Sequence, residues 1–379
     1  MSSSTRKTVA CIVGTRPEAI KMAPVIRAVQ ASSWGRCRVI FTAQHRDLAA
    51  PIFEFFGVHP DVDLDVMRPG QSLADLSNRL LSSLHHALGR EAPDFVLAQG
   101  DTTTVLASAL ASFMLGAPFG HVEAGLRTHR LDSPFPEEAN RVAVSHLSTL
   151  HFAPTPAARE NLLREGIDRA TIHLTGNTGI DALHAAARRE TPLGASLDPR
   201  RRLILVTVHR RENQGDPLRR ICRSVRAIHD RFEDVEILWP VHPNPAVGPV
   251  VAEMIGDLPR ARLVEPLGYG AFVTAMKRAV LILSDSGGIQ EEATALGKPV
   301  LVLRRFSERG EAVDCGVARL VGCDPEAIAA EAARLLLDDD AYRTLAQAAS
   351  PFGDGRSAAR IASIVKKHLI PVRSKAVSA

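Results

Sequence analysis

Short apolar, β-rich runs alternate with longer stretches of helical periodicity along nearly the whole chain, and this rhythm restricts the fold more than any other feature. Thr8–Val13, Arg38–Thr42, Phe95–Ala98 and Phe119–Val122 read as buried parallel strands. Leu203–Val208, Val235–Trp239, Ala279–Leu283 and Val300–Leu303 read the same way. Strands apolar on both faces belong under helices, and strand–helix alternation predicts an α/β fold with parallel sheets. The pattern occurs twice, with a break between Leu183 and Arg202 that holds the loop signals Thr191-Pro192-Leu193-Gly194 and Asp198-Pro199. A chain of 379 residues also exceeds what one hydrophobic core usually supports, about 250–300 residues, so two domains are expected.

The halves share a local grammar. Phe95–Gln99 runs through Gly100-Asp101 into a helix to Leu115, and Gly116 and Pro118 follow. Val280–Leu283 runs through Ser284-Asp285-Ser286-Gly287-Gly288 into a helix to Leu296, and Gly297 and Pro299 follow. Glycine just past a helix end and proline beyond it are stop signals. From Gly355 onward, Ile361, Ile364, Val365 and Leu369 mark one last amphipathic helix.

Composition narrows the function classes. Hydrophobic residues make up 45% and charged residues 23%, as in ordinary globular proteins. No apolar run approaches the ~20 residues of a membrane span, and Met1–Lys7 is too short and polar for a signal peptide. The net charge of +4 is scattered, densest at Arg200–Arg202, which argues against nucleic acid as partner. Five cysteines with wide spacing and no Cys-x-x-Cys read as thiols in a reducing, cytoplasmic compartment. Neither Gly-x-Gly-x-x-Gly after the first strand nor Walker A is present, so no cofactor is expected. No metal site is expected either: His-Glu-x-x-His is missing, and Asp61-x-Asp63-x-Asp65 lies in a polar connector without a histidine.

Four strings place reactive side chains after strands, where parallel sheets bind ligands. Gly14-Thr15-Arg16-Pro17-Glu18 follows the first; Gly14 permits a tight turn, and Arg16 sits where helix N–H groups would meet an anion. Lys21 lies one turn on, and Pro24 should kink this helix. A plain strand–helix turn with solvated charges would look alike. In Ser284–Glu292, Gly287 and Gly288 let backbone approach a diphosphate, and Glu292 shares that face for ribose hydroxyls while Glu291 points elsewhere. A glycine-rich turn before a solvated acidic helix start is the alternative. Asp101, Glu123, Glu137 and Glu138 form an acidic set suited to acid/base work. Asp101 could equally cap the Thr102–Leu115 helix, and Glu138 could serve a helix first turn. Glu123 leads into a loop and is harder to explain that way. His209-Arg210-Arg211-Glu212-Asn213 ends another strand; His209 could hold or protonate a phosphate, or be a polar strand end. His242 sits among Pro243 and Pro245, which suggest a structural turn.

Together these strings resemble the non-hydrolysing UDP-N-acetylglucosamine 2-epimerases. The match includes Gly14–Pro24, Thr42–Arg46, Gly100–Thr104, His121–Thr128, Ser133–Arg141, Gly176–Thr178, His209–Glu212, Ser286–Glu292 and Glu308–Val313. The resemblance implies a GT-B fold: two Rossmann-like domains with parallel sheets facing a central cleft. It divides the chain into residues 1–175 and 176–355, with the C-terminal helix 356–379 packing back on the first domain. It implies UDP-GlcNAc and UDP-ManNAc as substrates, a role in polysaccharide supply and a homodimer. By the same resemblance Asp101, Glu123 and Glu137 are catalytic carboxylates, with His209 beside them. Arg16, Lys21, Phe272, Ser286, Gly287, Gly288, Glu292 and Arg309 would bind substrate. Gln44, Glu138, Arg211 and His242 match part of an activator pocket found in some members, whereas Asp47 and Gly70 depart from it. Leu267 and Gly310 depart from the substrate pattern. Alternatives are a GT-B glycosyltransferase, a hydrolysing 2-epimerase, a diacetamido-uronate 2-epimerase and a silent nucleotide-sugar sensor. Lys21-Met22 favours the simpler sugar by resemblance, and the acid/base candidates argue against a sensor.

Overall fold

The structure is a computed structural model that describes residues 6–305, 316, 318–347 and 351–371. It divides into two compact units, Met1–Ala182 with Gly353–Ala379, and Leu183–Phe352. Each is built on one sheet whose strands all run parallel.

In the first unit the strands are β1 (Lys7–Val13), β2 (Gly35–Phe41), β3 (Val62–Asp63), β4 (Phe95–Gln99), β5 (Phe119–Val122), β6 (Leu150–Ala153) and β7 (Ile172–Leu174). Between and after them come α1 (Arg16–Gln30), α2 (Arg46–Phe56), α3 (Leu73–Glu91), α4 (Thr103–Met114), α5 (Glu137–Leu147), α6 (Pro156–Arg164) and α7 (Thr178–Ala187), whose second half from Leu183 falls in the second unit. In the second unit the strands are β8 (Arg202–Thr207), β9 (Val235–Pro240), β10 (Ala261–Val264), β11 (Ala279–Ser284), β12 (Val300–Val302) and β13 (Ala318–Leu320). Its helices are α8 (Asp216–Arg231), α9 (Gly248–Ile255), α10 (Tyr269–Arg278), α11 (Gly287–Ala295), α12 (Pro325–Leu337) and α13 (Asp339–Ala346). The last helix, α14 (Ser357–Leu369), belongs to the first unit.

The eight strands read from the sequence are present, and β3, β6, β7, β10 and β13 join them. Those five are short, and polar residues such as Asp63, His151, His173, Arg262 and Arg319 interrupt their apolar pattern. Pairing to an existing sheet, rather than intrinsic preference, makes them strands.

The core follows from the period of each element. On β1, Ala10 and Ile12 pack with Ile40, Val96 and Ala98 under α3, whose Leu80, Leu84 and Leu88 recur every four residues. Each such buried leucine contributes about 1.5–3 kcal/mol. On α1, Met22, Ala23, Val25 and Ile26 are buried, and the helix continues past Pro24 because packing holds both halves. The second core gathers Val206, Ile237, Trp239 and Leu283 with Leu218, Ile221 and Val225 of α8.

Strand order places the functional loops. The sheets run β3-β2-β1-β4-β5-β6-β7 and β10-β9-β8-β11-β12-β13. Order reverses between β1 and β4, and again between β8 and β11, so crossovers leave to opposite faces there. The loops after those strands lie side by side at the carboxyl edge of each sheet, which is where open parallel sheets take ligands.

The N-terminus of α14 is held by Asp181 of α7. Its carboxylate accepts from the backbone N–H of Ser357 (3.1 Å) and Ala358 (2.9 Å). An Asp181→Ala substitution leaves those donors without the carboxylate. It should cost about 1–2 kcal/mol, read as a lower urea midpoint with an unchanged far-ultraviolet spectrum.

Candidate active site

In the first unit, Glu18 ties together the two loops at the reversal. Its carboxylate accepts from the backbone N–H of Gly14 (2.6 Å) and Thr15 (3.1 Å), and from Thr102 Oγ1 (2.6 Å). Burial raises its pKa to about 6 even though these donors pull it down. Gly14 is required by space: a Cβ there would lie 2.5 Å from Thr104 Oγ1 and 2.6 Å from Thr42 Oγ1. Arg16, the exposed first residue of α1, stands at the helix N-terminus. Lys21 sets its Nζ 2.6 and 2.7 Å from the two carboxylate oxygens of Glu123. Gln99 Nε2 donates to the same carboxylate. Glu123 has φ +66°, a left-handed conformation that costs a non-glycine residue about 1–3 kcal/mol.

Asp101 lies in the neighbouring loop. Burial raises its pKa, the charges of Arg141 and Lys21 lower it, and Glu123 raises it further. Asp101, Glu123 and Lys21 therefore share one electrostatic neighbourhood. Arg141 of α5 reaches Asp101 Oδ2 with Nε (2.9 Å) and Nη2 (2.7 Å). Asp101 is not a helix cap, because α4 begins at Thr103 with Thr102 in the cap position. Glu137 opens α5, half-buried, one turn before Arg141 and on the same face. Glu138 is buried and accepts from the N–H groups of Thr128 (2.9 Å) and His129 (3.0 Å) and from Arg141 (2.9 Å). Half-buried Gln44 accepts a hydrogen bond from Thr104 Oγ1 (3.0 Å).

In the second unit a buried carboxylate again spans the reversal. Asp285, after β11, accepts from the backbone N–H of His209 (3.1 Å) and Arg210 (2.9 Å) and from Asn213 Nδ2 (2.9 Å). His209 Nδ1 lies 3.2 Å from Asp285 Oδ1. Burial holds the His209 pKa below the ordinary imidazole value, against the pull of Asp285. A neutral ring donating Nδ1–H to Asp285 leaves Nε2 for another partner. The rings of His209 and His242 stack with centroids 6.1 Å apart, and Arg211 is exposed in a short 3-10 helix.

The α11 helix starts directly after Ser286. A Cβ on Gly288 would meet nothing within 4 Å, and one on Gly287 would come no closer than 3.7 Å to Arg210. Packing therefore does not demand either glycine, and the bare helix start is open to close approach by an anion. Glu292 is half-buried whereas Glu291 is buried, so the two side chains have different surroundings. Phe272 lies half-buried in the first turns of α10. Arg309, Gly310 and the whole Glu308–Val313 string lie outside the described residues.

The Asp61–Asp65 string is an ion-pair cluster. Arg38 engages Asp61 (2.7 Å), and Arg46 engages Asp63 (2.5 Å) and Asp65 (3.0 Å). Among the described residues no group of three or more metal-ligating side chains could hold an ion, and no helix is long and apolar enough to cross a membrane.

Comparison with known proteins decides the lineage. A family model described as UDP-N-acetylglucosamine 2-epimerase matches residues 27–366. The UDP-N-acetylglucosamine 2-epimerase of Escherichia coli K12 is 45% identical over 369 residues, covering 95% of this chain and 98% of its own. The chain belongs to the UDP-N-acetylglucosamine 2-epimerase family. A crystal structure of the UDP-GlcNAc 2-epimerase from Neisseria meningitidis bound to UDP-GlcNAc is 40% identical, with a TM-score of 0.84 over 95% of this chain and 100% of that one. A glycotransferase of kitacinnamycin, 15% identical with a TM-score of 0.66 over 97% of this chain and 100% of that one, shares the fold alone. The α/β architecture is accordingly of GT-B type.

Several residues that build these sites have no role legible in the sequence. Glu18, Gln99, Arg141, Asn213 and Asp285 act on neighbours distant in sequence. A carboxylate in the first helical turn after a glycine, as at Glu18, or inside a glycine-rich turn, as at Asp285, is the signal that could have marked those two. His121 also escaped notice. Its Nε2–H donates to the carbonyl of Gly100 (2.7 Å), which fixes the loop carrying Asp101.

Burial lowers the His121 pKa to about 4. The unfolded chain therefore takes the proton more readily, near pH 6.5. The stability this group contributes is complete above that pH and is lost as pH falls toward 4, amounting to about 2 kcal/mol by pH 5. Urea midpoints at pH 7 and pH 5 should show His121→Gln losing about that much less than the wild type on acidification.

Proposed function

We propose that this chain interconverts UDP-GlcNAc and UDP-ManNAc without hydrolysis, by eliminating UDP and adding it back. The observation that carries the reading is the placement of Lys21, Glu123 and Asp101 in one neighbourhood of the first unit. Family membership and the UDP-GlcNAc bound by the Neisseria relative support the substrate class.

The chemistry explains the need for such groups. The C2 hydrogen is not next to a carbonyl, so simple deprotonation is very unfavourable. Loss of that proton to a carboxylate can be coupled to breaking the C1–O bond, whose electron pair leaves with UDP. The products are a 2-acetamidoglucal and UDP. Return of a proton to the opposite face of C2, as a diphosphate oxygen re-forms the bond to C1, gives the epimer. No electrons are gained or lost overall.

Asp101, Glu123 and Glu137 are assigned to proton transfer. Arg16, His209 and the helix start at Ser286, Gly287 and Gly288 are assigned to the departing diphosphate, whose charge they stabilise. Glu292 is assigned to the ribose hydroxyls, and Phe272 and Arg309 to the rest of the nucleotide-sugar. Lys21 is assigned to the substrate, beside Glu123, whose carboxylate it orients.

Incubation with UDP-GlcNAc in D2O, followed by NMR, is the test. UDP-ManNAc carrying deuterium at C2 is expected; free ManNAc with UDP would mean hydrolysis, and absence of C2 exchange would defeat the proposal. Asp101→Asn and Glu123→Gln should each lower kcat by roughly 10²–10⁴ while calorimetry finds UDP affinity nearly unchanged. Abolished UDP affinity would make that residue a binding or folding element instead.

A further inference from the structure

The charged side chains around Asp101 are unequal in their effect on it. Glu18 and Lys21 act on it from α1, Glu123 from the loop after β5 and Arg141 from α5, while His121 holds the neighbouring Gly100 carbonyl and Glu138 holds Arg141. Arg141 is in direct contact with Asp101, while Lys21 contacts Glu123. Its Nε and Nη2 converge on one oxygen, Oδ2, at 2.9 and 2.7 Å. Among the described residues, Oδ1 accepts no hydrogen bond. The carboxylate is thus gripped on one oxygen with the other left available.

The grip is itself braced. Arg141 Nη1 donates to Glu138 (2.9 Å), which is buried and pinned by two backbone N–H groups. Asn140, beside Arg141 in sequence, donates to the backbone carbonyl of Asp101 (2.8 Å). One helix therefore holds both the main chain and the side chain of Asp101. On the reading that Asp101 exchanges a proton with substrate, we infer that Arg141 is its positioning residue, fixing the direction of the carboxylate and serving as its counter-ion. Burial drives Asp101 toward the neutral form and Arg141 opposes this, so loss of Arg141 shifts Asp101 upward in pH.

The experiment follows C2 deuterium incorporation and kcat across pH in the full-length enzyme and in Arg141→Gln, Arg141→Lys and Asp101→Asn. In Arg141→Gln, one limb of the kcat profile should move up by about 1 pH unit, with kcat roughly 10-fold lower and UDP affinity within about threefold. Arg141→Lys should return the limb near its wild-type position without full kcat, because an ammonium lacks the guanidinium fork. A merely structural arginine would lower the active fraction and leave the profile in place, so an unmoved limb in Arg141→Gln overturns the inference. If Arg141→Gln does not fold, Arg141→Lys decides: wild-type kcat overturns the inference, and a drop of roughly 10-fold at unchanged UDP affinity supports it. Wild-type turnover in Asp101→Asn would instead remove the catalytic reading of Asp101, a failure distinct from that of Arg141.

Discussion

A buried carboxylate bridges the strand-order reversal in each of the two sheets, and the site geometry depends on this device. At a reversal, adjacent loops come from strands far apart in sequence, and nothing in the sheet ladder fixes one loop against the other. Glu18 does so in the first unit by collecting Gly14, Thr15 and Thr102. Asp285 does so in the second by collecting His209, Arg210 and Asn213. Each exchanges water for several donors, which is what makes burial of a carboxylate tolerable.

The two units use the arrangement for different ends. In the first, the braced loops present carboxylates beside one lysine, and burial raises the pKa of Asp101 while Arg141 and Lys21 lower it. In the second, the braced loops present a helix start bare of side chains and an imidazole oriented by an acid. Proton transfer suits the former and diphosphate binding the latter, and the elimination proposed above needs both.

Backbone strain and buried polarity concentrate at the same places. Glu123 adopts a left-handed conformation directly after β5. His121, two residues earlier, is held uncharged by burial while its ring fastens the Asp101 loop. Such features lower stability locally and persist because the parallel sheet and its helices over-determine the position. The helix α5 contributes in another way: Asn140 and Arg141 grip Asp101, while Glu138 holds the loop at Thr128 and His129.

The sequence alone determined the α/β alternation, because buried parallel strands must be apolar on both faces and helices must carry a 3.6-residue stripe. It also marked Gly14, Asp101, Glu123, His209 and Gly287-Gly288 as candidates, because parallel sheets take ligands at the loops after their strands, although most of these positions also had a plain structural explanation. It left the capping of α4 open between catalysis and structure for Asp101, and the short strands β3, β6, β7, β10 and β13 were invisible to it. Only the tertiary structure decided that Thr102, not Asp101, takes the cap, and that Asp61, Asp63 and Asp65 serve arginines. It alone joined Lys21 to Glu123, Arg141 to Asp101 and Asp285 to His209. Those pairings span 102, 40 and 76 residues. No periodicity in a chain encodes contacts at such separations; strand order creates them.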